Sequence, residues 1–276
     1  MDELKSALSK VLSEDEINEL MNALNKEAIN ALRINTLKFE ENEFDREFHF
    51  NKHKYVLEGR IYNKNENPMG KIALHNAGAY YIQEPSAMMV GDLLDINENE
   101  VVLDLCAAPG GKSTHIAQKM KNTGLLVANE ISGTRVKALS ENIERLGVKN
   151  CVVTNENSNF FAKRFKGYFD KVIVDAPCSG LGMWRKNDGS KEDWSMEKVN
   201  SLLDIQKQLI LDAYECLKMG GTLSYSTCTF TKEENEEILI KYITNTKEYE
   251  NFLKEIFLKF SKKASLIKID WLFNND

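Results

Sequence analysis

The sequence predicts an α/β fold, a doubly wound parallel sheet with helices on both faces, preceded by a small α+β module. Three observations predict it. From residue 101 onward, short apolar, β-branched runs alternate with segments of helical periodicity: VVLDL (101–105), GLLVANE (124–130), VVT (152–154), KVIVDA (171–176) and TLSYST (222–227). Strands buried on both faces of a parallel sheet read as such continuous runs. The first of them passes through Cys-Ala-Ala-Pro-Gly-Gly and opens a helix at Lys112. A small-residue turn there lets backbone approach a ligand, and the free N–H groups of the first helical turn face it. Before Gly78 the texture is different, with two helical runs, two strand-like runs and then a turn-rich cluster at Asn65, Asn67, Pro68 and Gly70.

In chain order, Leu4, Leu8, Val11 and Leu12, then Ile17, Leu20, Met21 and Leu24, recur at helical spacing. Ser13 and Glu16 between them form a capping-box pattern. ALRINTLK (31–38) and FHFNKHKYVLEGRIY (48–62) read as short strands, and the module ends near residue 76. AYYIQEPSAMMVGDLLDI is an extended lead into a helix with Pro85 near its start. Helices are then expected near 112–121 and 133–146, the second ended by Gly147, and near 200–218, leading through Gly220-Gly221 into the strand at 222. A last helix starts near Glu233. The expected division is a module over 1–76, a catalytic domain over 77–245 and a tail over 246–276.

Composition narrows the class. With 276 residues, 42% hydrophobic and 28% charged, the chain has an ordinary globular balance. No apolar run approaches the roughly 18 residues of a membrane span, and MDELKSALSK lacks a basic-then-apolar signal pattern. A cytoplasmic monomer, free of the membrane, is expected. The five cysteines are odd in number and form no C-x-x-C, against structural zinc or a disulfide framework, and no metal site is expected. A net charge of −6 alone argues against nucleic acid, although a local basic face can sit on an acidic protein.

The turn lacks both the G-x-G-x-x-G spacing of a dinucleotide site and the leading glycine of a P-loop, which points to an adenosine-type ligand. Glu130 ends the second strand, about 20 residues past the turn, where a carboxylate accepts from a ribose diol. Its structural alternative is a charge placed at the start of the next helix. Asp175 and Cys178 follow the fourth strand and Cys228 follows the fifth. Strand ends at the carboxyl edge of a parallel sheet line the ligand crevice. If those two strands are neighbours, both thiols flank one pocket. A lone Cys is commonly just a compact apolar residue, and Cys106, Cys151 and Cys216 keep that reading as side chains. Trp184, Arg185, Lys186, Lys191 and Trp194 interleave rings and cations beside Cys178, a pattern suited to RNA bases and phosphates. The alternative is a solvated loop anchored in the core by a Trp. The four histidines receive no role.

Together, DLCAAPGGK, ANE, VDAPCSGLG and LSYSTCT, with YYIQEPSAM and LRINTLK, resemble the RNA cytosine-5 methyltransferases of the Nop–Sun (NSUN) family over about residues 31–243. The resemblance implies a class I S-adenosylmethionine-dependent methyltransferase fold, Rossmann-like and doubly wound, with S-adenosylmethionine as cofactor and RNA, ribosomal before transfer RNA, as partner. It implies that 1–76 binds RNA. It implies that Cys106, Ala107, Ala108, Pro109, Gly110, Gly111 and Lys112 hold the cofactor and that Glu130 binds its ribose hydroxyls. Cys228 would be the nucleophile, Cys178 would assist product release, and Asp175 would contact the base and the cofactor side of the pocket. The mechanistic alternative has Cys178 attacking. Carbon 5 of cytosine is a poor nucleophile until a thiolate adds to carbon 6, so a Cys and an acid near N3 suit the task. The target base must leave its stack.

Two departures stand out. Asn157, in VVTNENSNFF, occupies the place of the acidic residue that accepts from the adenine amino group, with Glu156 beside it. Residues 244–276 are Lys-rich and helix-like, and only SLIKIDWLF resembles one of the family's closing strands. These features motivate a second reading, a cofactor-binding but catalytically weak RNA-binding or assembly protein.

Overall fold

A computed structural model of the chain describes residues 2–185 and 194–243. Its first half runs α1 (Asp2–Leu8), α2 (Glu14–Leu24), β1 (Asn30–Ile34), α3 (Glu41–Glu47), β2 (Asn51–Lys52), β3 (Gly59–Tyr62), α4 (Ala73–Asn76), β4 (Tyr80–Ile82) and α5 (Pro85–Leu93). The alternating part follows as β5 (Val101–Asp104), α6 (Gly111–Lys119), β6 (Leu125–Asn129), α7 (Arg135–Arg145), β7 (Cys151–Thr154), α8 (Ser158–Arg164) and β8 (Phe169–Asp175). It closes with α9 (Met196–Cys216), β9 (Leu217–Ser226) and α10 (Glu236–Ile243). Lys186, Lys191 and the SLIKIDWLF stretch lie outside the described residues. Among those described, no helix is long and apolar enough to cross a membrane.

The described residues form two compact units, one of residues 29–175 and 212–225, the other of 2–28, 176–185, 194–211 and 226–243. The first holds both sheets. Its five-stranded sheet has the order β7-β6-β5-β8-β9. Leu103 stands beside Val127 on one side and Val172 on the other, in parallel register. Val102, Leu126 and Ile173 pack against Ile116 and Ala117 of α6 and Met120 at its C-cap, and Ala128 packs against Leu139 and Ile143 of α7. Leu103, Val172 and Val174, of opposite parity, are also fully buried, so both faces of the sheet are covered. This bears out the expected class. Because β6 and β7 lie to one side of β5 and β8 to the other, the carboxyl end of β5 is the switch point where such sheets open a crevice.

The same unit contains an antiparallel sheet of order β2-β3-β1-β4. The expected strand over 48–62 is instead two short strands around a turn, where His53 Nδ1 accepts from the amides of Tyr55 and Val56. The lead at Tyr80–Ile82 pairs with β1. Buried Arg60 donates to both carboxylate oxygens of Asp45, at 2.7 and 2.9 Å, and ties α3 to β3. Pro85 opens α5, with Glu84 as its cap. Two boundaries differ from expectation. Ser195 caps α9 four residues early, accepting at Oγ from Lys198 N. At its other end, the amides of Gly167 and Tyr168 bond the carbonyls of Glu215 and Cys216, so β9 begins before Gly220-Gly221.

In the second unit, Leu4 and Leu8 of α1 and Ile17, Leu20 and Leu24 of α2 share a core with Leu181 and Trp184. The capping box is formed: Ser13 N donates to Glu16 Oε2 at 2.8 Å, and Glu16 N to Ser13 Oγ. Replacing Ser13 with Ala should cost about 1 kcal/mol of stability, read as a lower urea midpoint with an unchanged slope.

Candidate active site

The turn after β5 is built by short backbone bonds. Ala107 N donates to Asn129 O at 2.8 Å, and Gly110 N to Ala107 O at 2.7 Å. Gly110 has φ +107°, the left-handed region that glycine tolerates, and its missing Cβ would stand 3.2 Å from Leu139 Cδ1. A Cβ on Gly111 would meet Tyr81 Cε1 at 3.1 Å and Gln83 Nε2 at 3.2 Å. The two glycines thus let the turn sit closely against Leu139, Tyr81 and Gln83 at the helix N-terminus, whose first amides have no partner within the helix.

Arg33 of β1 holds this turn from below. It is buried and donates to Gln83 Oε1 (2.6 Å), Gly111 O (2.8 Å) and Thr114 Oγ1 (2.9 Å). Burial lowers its guanidinium to about 10. Its role is not legible from motifs, although an Arg between Leu32 and Ile34 in an apolar strand is itself a signal.

Asn129 is a second residue that motif reading passes over. Its Nδ2 donates to Leu105 O (3.2 Å) and Glu156 O (2.9 Å), and its Oδ1 accepts from Thr154 Oγ1 (2.9 Å) and Glu156 N (3.0 Å). One buried amide thereby joins the ends of β5, β6 and β7. Glu130 follows it, 2% exposed. Its Oε1 accepts from Ser132 N at 3.0 Å, and its Oε2 lies 3.5 Å from Arg135 Nη1. Arg135 also donates to Ala108 O at 2.6 Å, linking the turn to this carboxylate. Asn157 caps α8, its Oδ1 accepting from Phe160 N at 3.0 Å.

Lys112 and Asp175 meet as an ion pair, Nζ to Oδ2 2.6 Å. Beside them Asp104 accepts from Ser113 Oγ at 2.7 Å. Burial, with the Asp175 charge adding to it, pushes the Asp104 carboxyl up to about 6 against the bond from Ser113. Burial raises the Cys106 thiol well above the ordinary range, and takes Cys151 and Cys216 up to about 12, as suits compact neutral side chains. Glu58, Asp92 and His115 bring ligand atoms within 4.8 Å of one another. Lys119 pairs with Asp92 at 2.7 Å.

In the other unit the two candidate thiols come together. Cys178 Sγ and Cys228 Sγ are 3.1 Å apart, both free and part-buried, and Cys228 N donates to Cys178 Sγ at 3.2 Å. The next residues repeat the contact, Ser179 Oγ to Thr229 Oγ1 at 2.9 Å. Gly182 N donates to Cys228 O at 2.8 Å, and a Cβ at Gly182 would stand 2.9 Å from that oxygen. The hydrogen bond with the Cys228 side chain, then burial, raises the Cys178 thiol well above its ordinary range. Trp184 is 4% exposed within the α1–α2 core, the anchoring role rather than a base-stacking one. Trp194 Nε1 donates to Ser179 Oγ at 3.2 Å.

Two measurements check the turn. Arg33→Ala removes three donors from a buried site and should cost about 3 kcal/mol in urea unfolding. Asp104 has a folded-state pKa above its ordinary 3.8. The native chain therefore binds the extra proton between roughly pH 4 and 6, and stability falls as pH rises through that window. Asp104→Asn removes this loss, so from pH 4 to pH 7 its stability relative to the parent should climb by up to about 3 kcal/mol.

Comparison with known proteins agrees with this architecture. Residues 92–266 match the family described as 16S rRNA methyltransferase RsmB/F, and residues 2–85 match the N-terminal domain of 16S rRNA methyltransferase RsmF. The ribosomal RNA small subunit methyltransferase F of Vibrio cholerae serotype O1 is 39% identical over 243 residues, 84% of this chain and 51% of that protein. The chain thus spans about half the length of that relative. Among solved structures, a methyltransferase homolog protein from Pyrococcus horikoshii superposes with TM-score 0.71 at 27% identity, covering 85% of this chain and 83% of its own. NSun6 from the same organism, solved with SFG, shares the fold at TM-score 0.78 and 22% identity over 88% and 87% of the two chains. The fold is that of class I S-adenosylmethionine-dependent methyltransferases, and the chain belongs to the RsmB/F methyltransferase family.

Proposed function

We propose that this chain transfers a methyl group from S-adenosylmethionine to carbon 5 of a cytosine in ribosomal RNA, through a covalent adduct with Cys228. The observation that carries the reading is the pair of free thiols 3.1 Å apart, contributed by the Pro177-Cys178 and Thr227-Cys228 dipeptides. Ribosomal RNA is favoured because the matched family and the Vibrio relative are both named for it. In this reading residues 1–76 contribute RNA binding, 77–245 carry the catalysis, and 246–276 form a tail.

The residues of the turn fit the cofactor. Gly110 and Gly111 let the turn pack closely on Leu139, Tyr81 and Gln83 ahead of the α6 N-terminus, and Glu130, just past β6, has oxygens with second lone pairs for a ribose diol beside their contacts to Ser132 N and Arg135. Backbone and side chains of Cys106, Ala107, Ala108, Pro109, Gly110, Gly111 and Lys112 would hold it, together with Glu130, Asn157 and Asp175. Asn157 already accepts from Phe160 N, so an adenine amino group would share that oxygen's second lone pair. S-adenosylmethionine, when bound, supplies an electrophilic methyl group.

On the base side, the Cys228 thiolate adds to carbon 6, forming a C–S bond and making carbon 5 enamine-like. An acid near N3 stabilises the adduct, and this reading places Asp175 on that side of the base. After transfer, loss of the carbon 5 proton returns an electron pair to the ring and expels the Cys228 sulfur. Cys178 assists that release. The high Cys178 pKa supports this division, since a group that keeps its proton is poorly suited to attack and well suited to aid departure.

The test uses labelled S-adenosylmethionine with ribosomal and transfer RNA. Cys228→Ala should abolish transfer, while Cys178→Ala should accumulate a protein–RNA adduct on denaturing gels. Transfer that survives without Cys228 would sink the nucleophile assignment. Absence of transfer by the parent chain would favour a binding or assembly role.

A further inference from the structure

Glu234 is fully buried, and four donors converge on its carboxylate. Ser179 N (2.8 Å) and Gln206 Nε2 (3.1 Å) reach Oε1, and Ser179 Oγ (2.5 Å) and Thr231 Oγ1 (2.7 Å) reach Oε2. A carboxylate accepts all four without rearrangement, and charge-assisted bonds of this kind offset the cost of burying the charge. Gln206 Nε2 also donates to Pro177 O at 2.9 Å. Glu234 and Gln206 therefore grip the residues on both sides of Cys178. The neighbouring Asn235 does the same for the other thiol's loop: its Oδ1 accepts from Thr227 Oγ1 at 2.6 Å, and its Nδ2 donates to Thr231 O at 2.7 Å. The Ser179–Thr229 hydroxyl contact lies between the two grips.

We propose that Glu234 is a positioning residue, which with Asn235 buckles the two cysteine loops together and fixes the spacing of Cys178 and Cys228. It touches neither substrate nor cofactor in this scheme and acts through Ser179. The proposal rests on the reading of the two thiols as nucleophile and release group. Its charge also adds to the factors that keep Cys178 protonated. Glutamine at this position can hold the same shape: its carbonyl accepts from Ser179 N and Gln206, while its amide donates to the two hydroxyls, which rotate to accept. Alanine removes the buckle.

The experiment takes the full chain as parent, Glu234→Gln and Glu234→Ala, and measures the iodoacetamide alkylation rate of each cysteine by mass spectrometry from pH 6 to pH 10. This readout needs no methyl transfer, so it stands apart from any failure of the enzymatic reading. In the Ala variant the difference in rate between Cys178 and Cys228 should shrink by roughly tenfold. Where transfer is measurable, kcat should fall roughly 100-fold while the KM for S-adenosylmethionine stays within about twofold. The Gln variant should move the Cys178 profile to lower pH and narrow the spread of rates less than the Ala variant does. Urea midpoints report whether each variant is folded. If Glu234→Ala does not fold, the Cys178 profile of Glu234→Gln decides. A folded Ala variant with parental rates at both thiols, or a Gln variant with an unmoved Cys178 profile, overturns the proposal.

Discussion

One buried amide, Asn129, holds the larger sheet's functional edge together. Parallel strands end without a hairpin to fix their tips, and the loops beyond them are free to wander unless something crosses between them. From the end of β6, Asn129 uses both donors and both acceptor sites of its side chain on the ends of β5 and β7. The small-residue turn and Glu130 are thereby set in one frame. Arg33 fixes the other end of the turn, and Arg135 ties Ala108 to the region of Glu130. The frame is polar because strand tips at a ligand edge cannot be closed by apolar packing and still remain open to a ligand.

The cysteine loops follow the same logic with different groups. Nothing covalent joins Cys178 to Cys228, yet three successive contacts hold their segments side by side: sulfur to sulfur, hydroxyl to hydroxyl, and the Gly182 amide to the Cys228 carbonyl. Gly182 is small because a carbonyl oxygen occupies the space its side chain would take. The carboxylate of Glu234 closes the arrangement beneath. In both units, groups that would interact with a ligand are oriented by neighbours that would not.

Much of this was legible in the sequence because period and punctuation report local physics directly. The alternation of apolar runs and helical stretches fixed the sheet's class, Ser13 and Glu16 marked a helix start, and Gly147 marked an end. The adjacency of Cys178 and Cys228 followed from a neighbour relation between β8 and β9. What stayed hidden depends on tertiary contact. Arg33, Asn129 and Glu234 lie far in sequence from most of their partners, and no spacing announces a buried polar side chain's bonding set. Trp184 was ambiguous for a related reason: a ring beside cations suits both a base and a core, and only the packing of α1 and α2 decides. Likewise β9 begins early because of bonds from Gly167 and Tyr168, about fifty residues upstream.

The reach of Arg33 into the α6 turn bears on how this chain can be taken apart. A fragment starting at residue 77 would keep every motif of the β5 turn, yet Gly111 O and Thr114 would lose their buried donor and Gln83 its partner. Tyr80–Ile82 would lose the strand it pairs with, exposing an unpaired edge. The seam suggested by the texture of the sequence is therefore a poor place to cut. The segment around β1 and the turn it supports form a single inheritable piece: grafting the motif onto another scaffold, or exchanging the leading segment between relatives, succeeds only when the arginine and its three acceptors travel together.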